Sequence, residues 1–336
     1  MIEIKILQER DLTAKETEKL FDEIMNGKFN EEEIYSFLNA LTEKGESSKE
    51  IFGALNSISK AMISVKSSIY PLIDTCGTGG DKSNSFNIST AAAITAASAG
   101  CFIAKHGNTA ASSKSGSADV LEELGINLNL SPKQEKQVLE KIGISFLFAK
   151  AHHPSMKFVA NARKKINKRT IFNILGPLSN PANASRRLLG VSNPELIPVV
   201  SEALAMQKIE HALVVHGNKM DELNLFQNNI VFEIKEKKIK RYLIDAKELG
   251  LNYAENSEFI VSDSKESAKV IQEIFSGKEK GPKKDIVVLN SAAAIYLSGK
   301  TNSIKEAVPI AKECIESGKA KEKLSEMIKA TNELSD

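Results

Sequence analysis

Between residues 71 and 104 the chain passes in order through a short apolar strand, a glycine loop, a helix and a second apolar strand. The strand is Pro71-Leu72-Ile73-Asp74, the loop Gly77-Thr78-Gly79-Gly80, the helix about 89–99 with a stop at Gly100, and the second strand Cys101-Phe102-Ile103-Ala104. Residues 144–148 and 212–215 are further buried-strand candidates, the second ending at His216-Gly217, and a helix over 194–206 lies between them. Strands alternating with helices predict a largely parallel sheet, with ligand loops at the carboxyl ends of the strands. Residues 231–234 and 239–244 flank a charged turn and read as an antiparallel hairpin. Residues 285–289 read as one more strand, 291–297, 304–317 and the tail from 319 as helices.

Upstream of about residue 67 no strand alternation appears. Thr13 with Glu16, Asn30 with Glu33 and Ser47 with Glu50 each have capping-box spacing before an apolar face, and Gly27 and Gly45 stop the first two segments. The reading is α/β: a small N-terminal all-helical unit, 1–66, and a larger α/β unit with a mostly parallel sheet. A length of 336 residues accommodates two such packed units.

Composition excludes several classes. Apolar residues at 42% and charged residues at 26% suit a packed globular chain rather than a disordered one. Lys+Arg 45 against Asp+Glu 43 leaves a formal charge of +2, which argues against nucleic acid as the main partner. The longest apolar run, 91–104, is interrupted by Thr95, Ser98 and Gly100 and falls short of the roughly 20 residues of a spanning helix. No secretory signal is read at the amino terminus. Cys76, Cys101 and Cys314 are far apart and form no Cys-x-x-Cys pair, so a cytoplasmic, thiol-reducing location is expected.

Four segments carry the chemistry. Asp74 to Asp81 with Phe86-Asn87-Ile88-Ser89-Thr90 at a helix start suits an anion, because glycines let the backbone approach and a helix start offers free N–H groups. An ordinary strand-to-helix turn is the plain alternative. The second loop, 105–119, offers Lys105, His106, Asn108, Lys114 and four serines with almost no bulk. It is either a surface linker or a loop that wraps a polyanion. His152-His153-Pro154 is followed by Arg163, whose planar guanidinium suits a carboxylate. Adjacent histidines on a turn point apart, which argues against zinc. Arg163 precedes Lys164 and Lys165, so spacing alone favours a solvated basic face. Asp221-Glu222 after the strand at 212–215 suits magnesium, although an acidic pair of this kind is ordinarily an exposed one without a ligand.

Taken together and in this order, these motifs resemble the anthranilate phosphoribosyltransferases over nearly the whole chain. The segments that carry the resemblance are Gly77-Thr78-Gly79-Gly80-Asp81, Asn87-Ile88-Ser89-Thr90, Lys105-His106-Gly107-Asn108, Ser115-Gly116-Ser117-Ala118-Asp119, His153-Pro154 with Arg163, Arg169-Thr170-Ile171-Phe172-Asn173 with Gly176-Pro177-Leu178, and Asp221-Glu222. The resemblance implies an active site in the cleft between the two units, with about 155–180 joining the helical side and 67–154 with 181–336 forming the other. It implies transfer of a phosphoribosyl group to the amine of anthranilate, with magnesium (Mg2+) as cofactor and a homodimer formed through the helical unit. Gly77, Gly80, Asp81, Ser85, Asn87, Ile88, Ser89, Thr90, Lys105, His106, Gly107, Asn108, Thr109, Ala110, Ala111, Ser112, Ser113 and Ser117 would line the phosphoribosyl pyrophosphate site. Gly77, Asn108, Arg163, His106 and His153 would meet anthranilate, and Ser89, Asp221 and Glu222 would hold the metal. No side-chain base is assigned, since an aromatic amine is already neutral.

The chain departs from the family pattern at three places. Thr109 stands where an Arg is usual, Lys82 where a Gly is usual, and Lys150 where a Pro is usual. A pyrimidine nucleoside phosphorylase, which shares the architecture, is the alternative reading, and a non-catalytic relative that binds nucleic acid is a second.

Overall fold

In the computed structural model, residues 10–110 and 115–334 are described. The chain opens on three helices, α1 (Ala14–Met25), α2 (Glu31–Lys44) and α3 (Ser48–Ala61). All three expected capping boxes form. Glu16, Glu33 and Glu50 donate a backbone N–H to Thr13, Asn30 and Ser47, and each glutamate carboxylate takes the cap residue's N–H in return. Such caps contribute about 1 kcal/mol apiece. Helices α1 and α3 pack so closely that a Cβ on Gly53 would lie 2.2 Å from the Ala14 carbonyl oxygen, so no larger residue fits there.

The remainder is built on one seven-stranded sheet. Its strands are β1 (Ile73–Gly77), β2 (Ile103–Gly107), β3 (Ile144–Phe148), β4 (Arg186–Gly190), β5 (His211–His216), β6 (Asn229–Lys235) and β7 (Lys238–Ile244). Their spatial order is β3-β2-β1-β4-β5-β6-β7; the first five run parallel and the hairpin β6–β7 is antiparallel. Lys238, Lys240 and Arg241 stud the edge strand β7, which discourages pairing with another chain.

Helices cover both faces. Side chains alternate between them, as the two-residue period of a strand requires. Leu188, Leu213 and Val215 join one core with α4 (Ile88–Ser98), α5 (Ser117–Glu123), α11 (Ser264–Phe275), α12 (Pro282–Ser298), α13 (Ile304–Glu316) and α14 (Lys319–Asn332). Leu189, Ala212 and Val214 join the other, with α1–α3, α8 (Ala160–Ile166), α9 (Phe172–Leu178) and α10 (Ile197–Met206). Phe21 on α1 meets Phe37 and Phe172 at ring distances of 5.9 and 5.7 Å, tying the opening helices to α9. The helices α6 (Pro132–Ile142) and α7 (Ala149–His152) flank β3.

Two expectations change. The expected strand at 285–289 is part of the 17-residue helix α12, which starts at Pro282 and stops at left-handed Gly299. A helix buried all round gives the same unbroken apolar run as a buried strand. Asn290 and Ser291, which look like a break, hydrogen-bond back to the carbonyls of Ile286 (2.9 Å) and Val287 (2.6 Å) within the helix. The first two expected strands are shifted: β1 runs on through Thr75, Cys76 and Gly77 and β2 through Lys105, His106 and Gly107, so these belong to the strands and not to the loops after them. Strand β4 and helices α5, α6, α7, α9 and α11 had no counterpart in the pattern reading, while the helix expected from about Pro154 is a short 3-10 turn followed by α8.

Candidate active site

Strand order reverses between β1 and β4, because β2 and β3 continue to one side and β5 to β7 to the other. The crevice at such a reversal, beyond the carboxyl ends of the strands, is where open α/β sheets take ligands. Both strands end there in glycine, Gly77 paired with Gly190. The loop bearing Asp221 lies directly across them. A Cβ on Gly77 would sit 2.2 Å from Asp221 Oδ2, and one on Gly190 only 1.4 Å from the Asp221 carbonyl oxygen. The Gly79 N–H donates to Asp221 Oδ2 at 2.7 Å, joining the first loop to the acidic one.

This close approach assembles three carboxylates. Asp81, Asp221 and Glu222 each offer an oxygen within 4.8 Å of the others. Burial first, then the charge of Asp81, push the Asp221 carboxyl up to about 7. Burial and the neighbouring Asp221 push Glu222 well above its usual range. Asp81 Oδ2 and Glu222 Oε2 are buried with no hydrogen-bond partner among the described residues. A set of crowded, oxygen-only, unsatisfied donors calls for a hard cation. The acidic pair is therefore not the exposed one expected from sequence: Asp221 is buried, and Asp81 completes the group.

Beside it, Lys105 is buried at the end of β2. It donates to the Thr75 carbonyl and, at 3.2 Å, to Ser89 Oγ in the first turn of α4, which Asn87 caps through the Thr90 N–H. Asp74, wholly buried, accepts from the His106 N–H (3.0 Å) and from Asn180 Nδ2 (2.8 Å), so the ends of β1 and β2 are locked together. Asp119 draws in the second loop, accepting from the N–H groups of Ala110 (2.8 Å) and Gly116 (3.1 Å).

The opposite wall comes from the helical layer. Arg163 on α8 lies over the Phe172 ring at 5.3 Å. Burial lowers its pKa, and no acidic neighbour acts to raise it. Lys165, in contrast, pairs with Glu32 at 2.8 Å on the surface. The basic run thus splits: its lysine keeps to solvent, and its arginine turns inward without a counter-ion. The two histidines also diverge. His152 Nε2 meets Glu135, while His153 Nε2 lies 3.3 Å from His106 Nε2. Burial, reinforced by the adjacent His152, holds His153 down to about 4, and burial with His153 holds His106 well below its usual value. Both are neutral at pH 7, sharing one hydrogen bond.

A cavity of about 310 Å³ separates the two walls, with Gly77–Asp81, Lys105 and the acidic group on the sheet side and Arg163, Phe172 and Asn173 on the helical side. Comparison with known proteins bears on what such a cleft serves. Residues 2–62 match the helical bundle domain of a glycosyl transferase family, and 69–321 match its a/b domain. The chain is 45% identical over 329 residues to the anthranilate phosphoribosyltransferase of Acetivibrio thermocellus, covering 98% of this chain and 95% of that one. The chain belongs to the anthranilate phosphoribosyltransferase family. The crystal structure of the family member from Thermus thermophilus superposes with a TM-score of 0.94 at 37% identity, covering 99% of this chain and all of the other. The Saccharomyces cerevisiae enzyme, solved in complex with PRPP (phosphoribosyl pyrophosphate) and Mg, gives 0.87 at 28% identity, covering 96% and 94%.

Of the residues that the anthranilate phosphoribosyltransferase resemblance implied, Gly77, Gly80, Asp81, Ser85, Asn87, Ser89, Lys105 to Ala110, Ser117, Arg163, Asp221 and Glu222 all line this cavity. Ile88 and Thr90 do not: both side chains are buried, Ile88 in the core under the sheet, and only their main chain stands in the first turn of α4. His153 reaches the cleft through His106. Ala111, Ser112 and Ser113 lie outside the described residues. Sequence reasoning missed Asp81 as part of the acidic group, and missed Asn180 and Gly190. The signal for Gly190 was present in Leu188-Leu189-Gly190, an apolar pair ending on glycine as β2 ends on Gly107.

Proposed function

We propose that this chain transfers the phosphoribosyl group of phosphoribosyl pyrophosphate to the amine of anthranilate, giving N-(5-phosphoribosyl)anthranilate and pyrophosphate. The amine nitrogen forms a bond to the anomeric carbon as the carbon–oxygen bond to pyrophosphate breaks; the electron pair leaves with pyrophosphate, and the nitrogen gives its proton to solvent. One observation carries the assignment of sides. A half-buried guanidinium with no acid beside it among the described residues faces, across one cavity, three clustered acids of which Asp81 Oδ2 and Glu222 Oε2 are buried without a hydrogen-bond partner there.

The donor belongs with the glycine loop, Asn87, Ser89, Lys105 and the second loop. The acidic group Asp81, Asp221 and Glu222, with Ser89 beside it, would hold magnesium, which when bound neutralises charge on the pyrophosphate. Lys105 adds a positive charge that water does not screen. Arg163 grips the anthranilate carboxylate, Asn108 and the His106–His153 pair border the ring, and the acceptor amine is thereby aimed at the donor. Holding two reactants in line is the larger part of the task, because the amine needs no base. This explains a site rich in anion binders and lacking a nucleophile with its base.

We assign residues 1–66 and about 155–180 to a helical domain, and 67–154 with 181–336 to the α/β domain. The shared core of α1–α3 with α8 and α9 supports this, and α10 adds to the same layer. A homodimer through the helical domain and a cytoplasmic location complete the reading. Among the described residues no helix is long and apolar enough to cross a membrane.

The test mixes purified protein with anthranilate, phosphoribosyl pyrophosphate and magnesium, and follows anthranilate fluorescence. A decay that needs all three components is expected. No decay from folded protein overturns the reading, and uridine or thymidine with phosphate then tests the phosphorylase alternative.

A further inference from the structure

The chain passes between the proposed helical and α/β domains in three places, near residues 63–65, 152–154 and 179–182, and all three meet at one spot. The Ile63 N–H donates to the His152 carbonyl (2.8 Å), and the His152 Nδ1 position faces the Ile63 carbonyl at 2.6 Å, so the first two crossings are bracketed in both directions. The Val65 N–H donates to the Pro181 carbonyl at 3.0 Å, adding the third. Val65 also packs with Leu139 and Ala184 in a small separate core.

His152 is fully buried, and its ring is satisfied only in one state. Nε2 lies 3.0 and 2.8 Å from the two oxygens of Glu135, itself 1% exposed. Carboxylate and carbonyl are both acceptors, so each ring nitrogen must carry a proton and the imidazole is a cation. Without an acid at 135 the Nε2 proton would be lost, and an apolar side chain there would leave the ring tied to the Ile63 carbonyl alone. The next residue, His153, touches His106 at the cleft, and Pro154 starts the short 3-10 turn that leads into α8 and Arg163.

We infer that His152 is a positioning residue: as an imidazolium held by Glu135, it fastens the crossings together and so sets Arg163 and His153 against the acidic wall. The inference rests on the acceptor being bound at Arg163. No group in this latch touches a substrate, and its effect reaches the reaction only through where the helical layer stands. It acts first on acceptor binding, because the His152 crossing leads directly into α8 and Arg163, whereas the donor loops follow β1 and β2 and meet a crossing only through Asn180.

The experiment measures both Michaelis constants and kcat for the full chain carrying Glu135→Leu, Glu135→Asp or Glu50→Gln, together with 15N spectra of histidine-labelled protein at pH 7. Glu50 is a buried carboxylate of the helical layer that, among the described residues, bonds only to the Leu12 and Ser47 N–H groups and to Lys44, so its loss reports general loosening. For Glu135→Leu the expected result is about a tenfold rise in the anthranilate constant, with kcat and the donor constant within about twofold. Glu135→Asp recovers most of the loss. The spectra show His152 doubly protonated in the parent and not in Glu135→Leu, while the signals of His211, whose ring meets Glu233 at 2.6 Å, are the same in both. Equal changes for both substrates, the same shift from Glu50→Gln, or a singly protonated His152 in the parent would overturn the inference. A parent that does not turn over anthranilate overturns the reaction itself, an outcome separate from a parent that turns over and a variant that matches it.

Discussion

Arg163 offers the sharpest residue-level test, because its guanidinium is prepaid in desolvation and has no acid beside it. Losing a charge-assisted hydrogen bond costs about 1.5–3 kcal/mol, or about 10–100-fold. Arg163→Ala should raise the anthranilate Michaelis constant by that factor and leave the donor constant within about threefold; equal increases would remove the carboxylate role. Asp221→Asn with Glu222→Gln should move the magnesium titration to higher concentration, and an unchanged titration would take the pair out of the metal site. Lys82 stands at φ 59, a left-handed conformation that disfavours side chains, which gives a physical reason why glycine is usual there. Lys82→Gly should stabilise the fold by about 1 kcal/mol, about 2 °C in a thermal melt. At this scale the sequence was most readable where residue type alone restricts chemistry, as with Arg163 and the Asp221-Glu222 pair. It was least readable where burial decides. Nothing in the motif separates Asp81, which joins the acidic group, from Ile88 and Thr90, which turn into the core.

Among the elements, those with local signals were legible and those held by tertiary contact were not. The first three helices announce themselves through Thr13, Asn30 and Ser47, since a capping box is made by residues three apart. Ser47→Ala should lower stability by about 1 kcal/mol in denaturant unfolding, with the m-value unchanged. Strand β4 has no such signature: Arg186 and Arg187 open it, and Arg187 is buried only because it donates to the Leu178 carbonyl across the layer. Residues 285–289 failed for the opposite reason, since a run buried on every side loses the period that distinguishes helix from strand. The strand ends make the most demanding element-level claim. Gly190→Ala would drive a methyl group into the Asp221 carbonyl, so the acidic loop must lift. At least about a tenfold fall in kcat/KM is expected, accompanied by weaker magnesium dependence, because the loop and its carboxylates move as one piece.

For the molecule as a whole, buried histidines set the pH range from opposite sides. His153 is held down to about 4, so between about 6.5 and 4 the unfolded chain takes up a proton that the native chain refuses, and stability falls as pH drops through that window. For His152, burial is the largest single influence and opposes the charge, but the hydrogen bond and charge of Glu135 together with the Ile63 carbonyl outweigh it and the value is raised. Its contribution is complete below about 6.5 and is lost as pH rises through the folded value. Urea unfolding from pH 4 to 9 should therefore show falling stability on both sides, with the alkaline decline absent in Glu135→Gln. A further consequence follows from the layer that carries Arg163. Its interior is gathered from residues 12–58, 159–178 and 189–214. The opening helices leave the ribosome first, yet they have no finished partner until roughly 140 more residues are made. At about 5–20 residues per second that is on the order of 10–30 s of exposed Phe21 and Phe37. Synthesis from amino to carboxyl end thus leaves the N-terminal bundle in need of chaperone cover while it waits for its partners, and the opposite core, which draws on residues as late as Met327, closes later still.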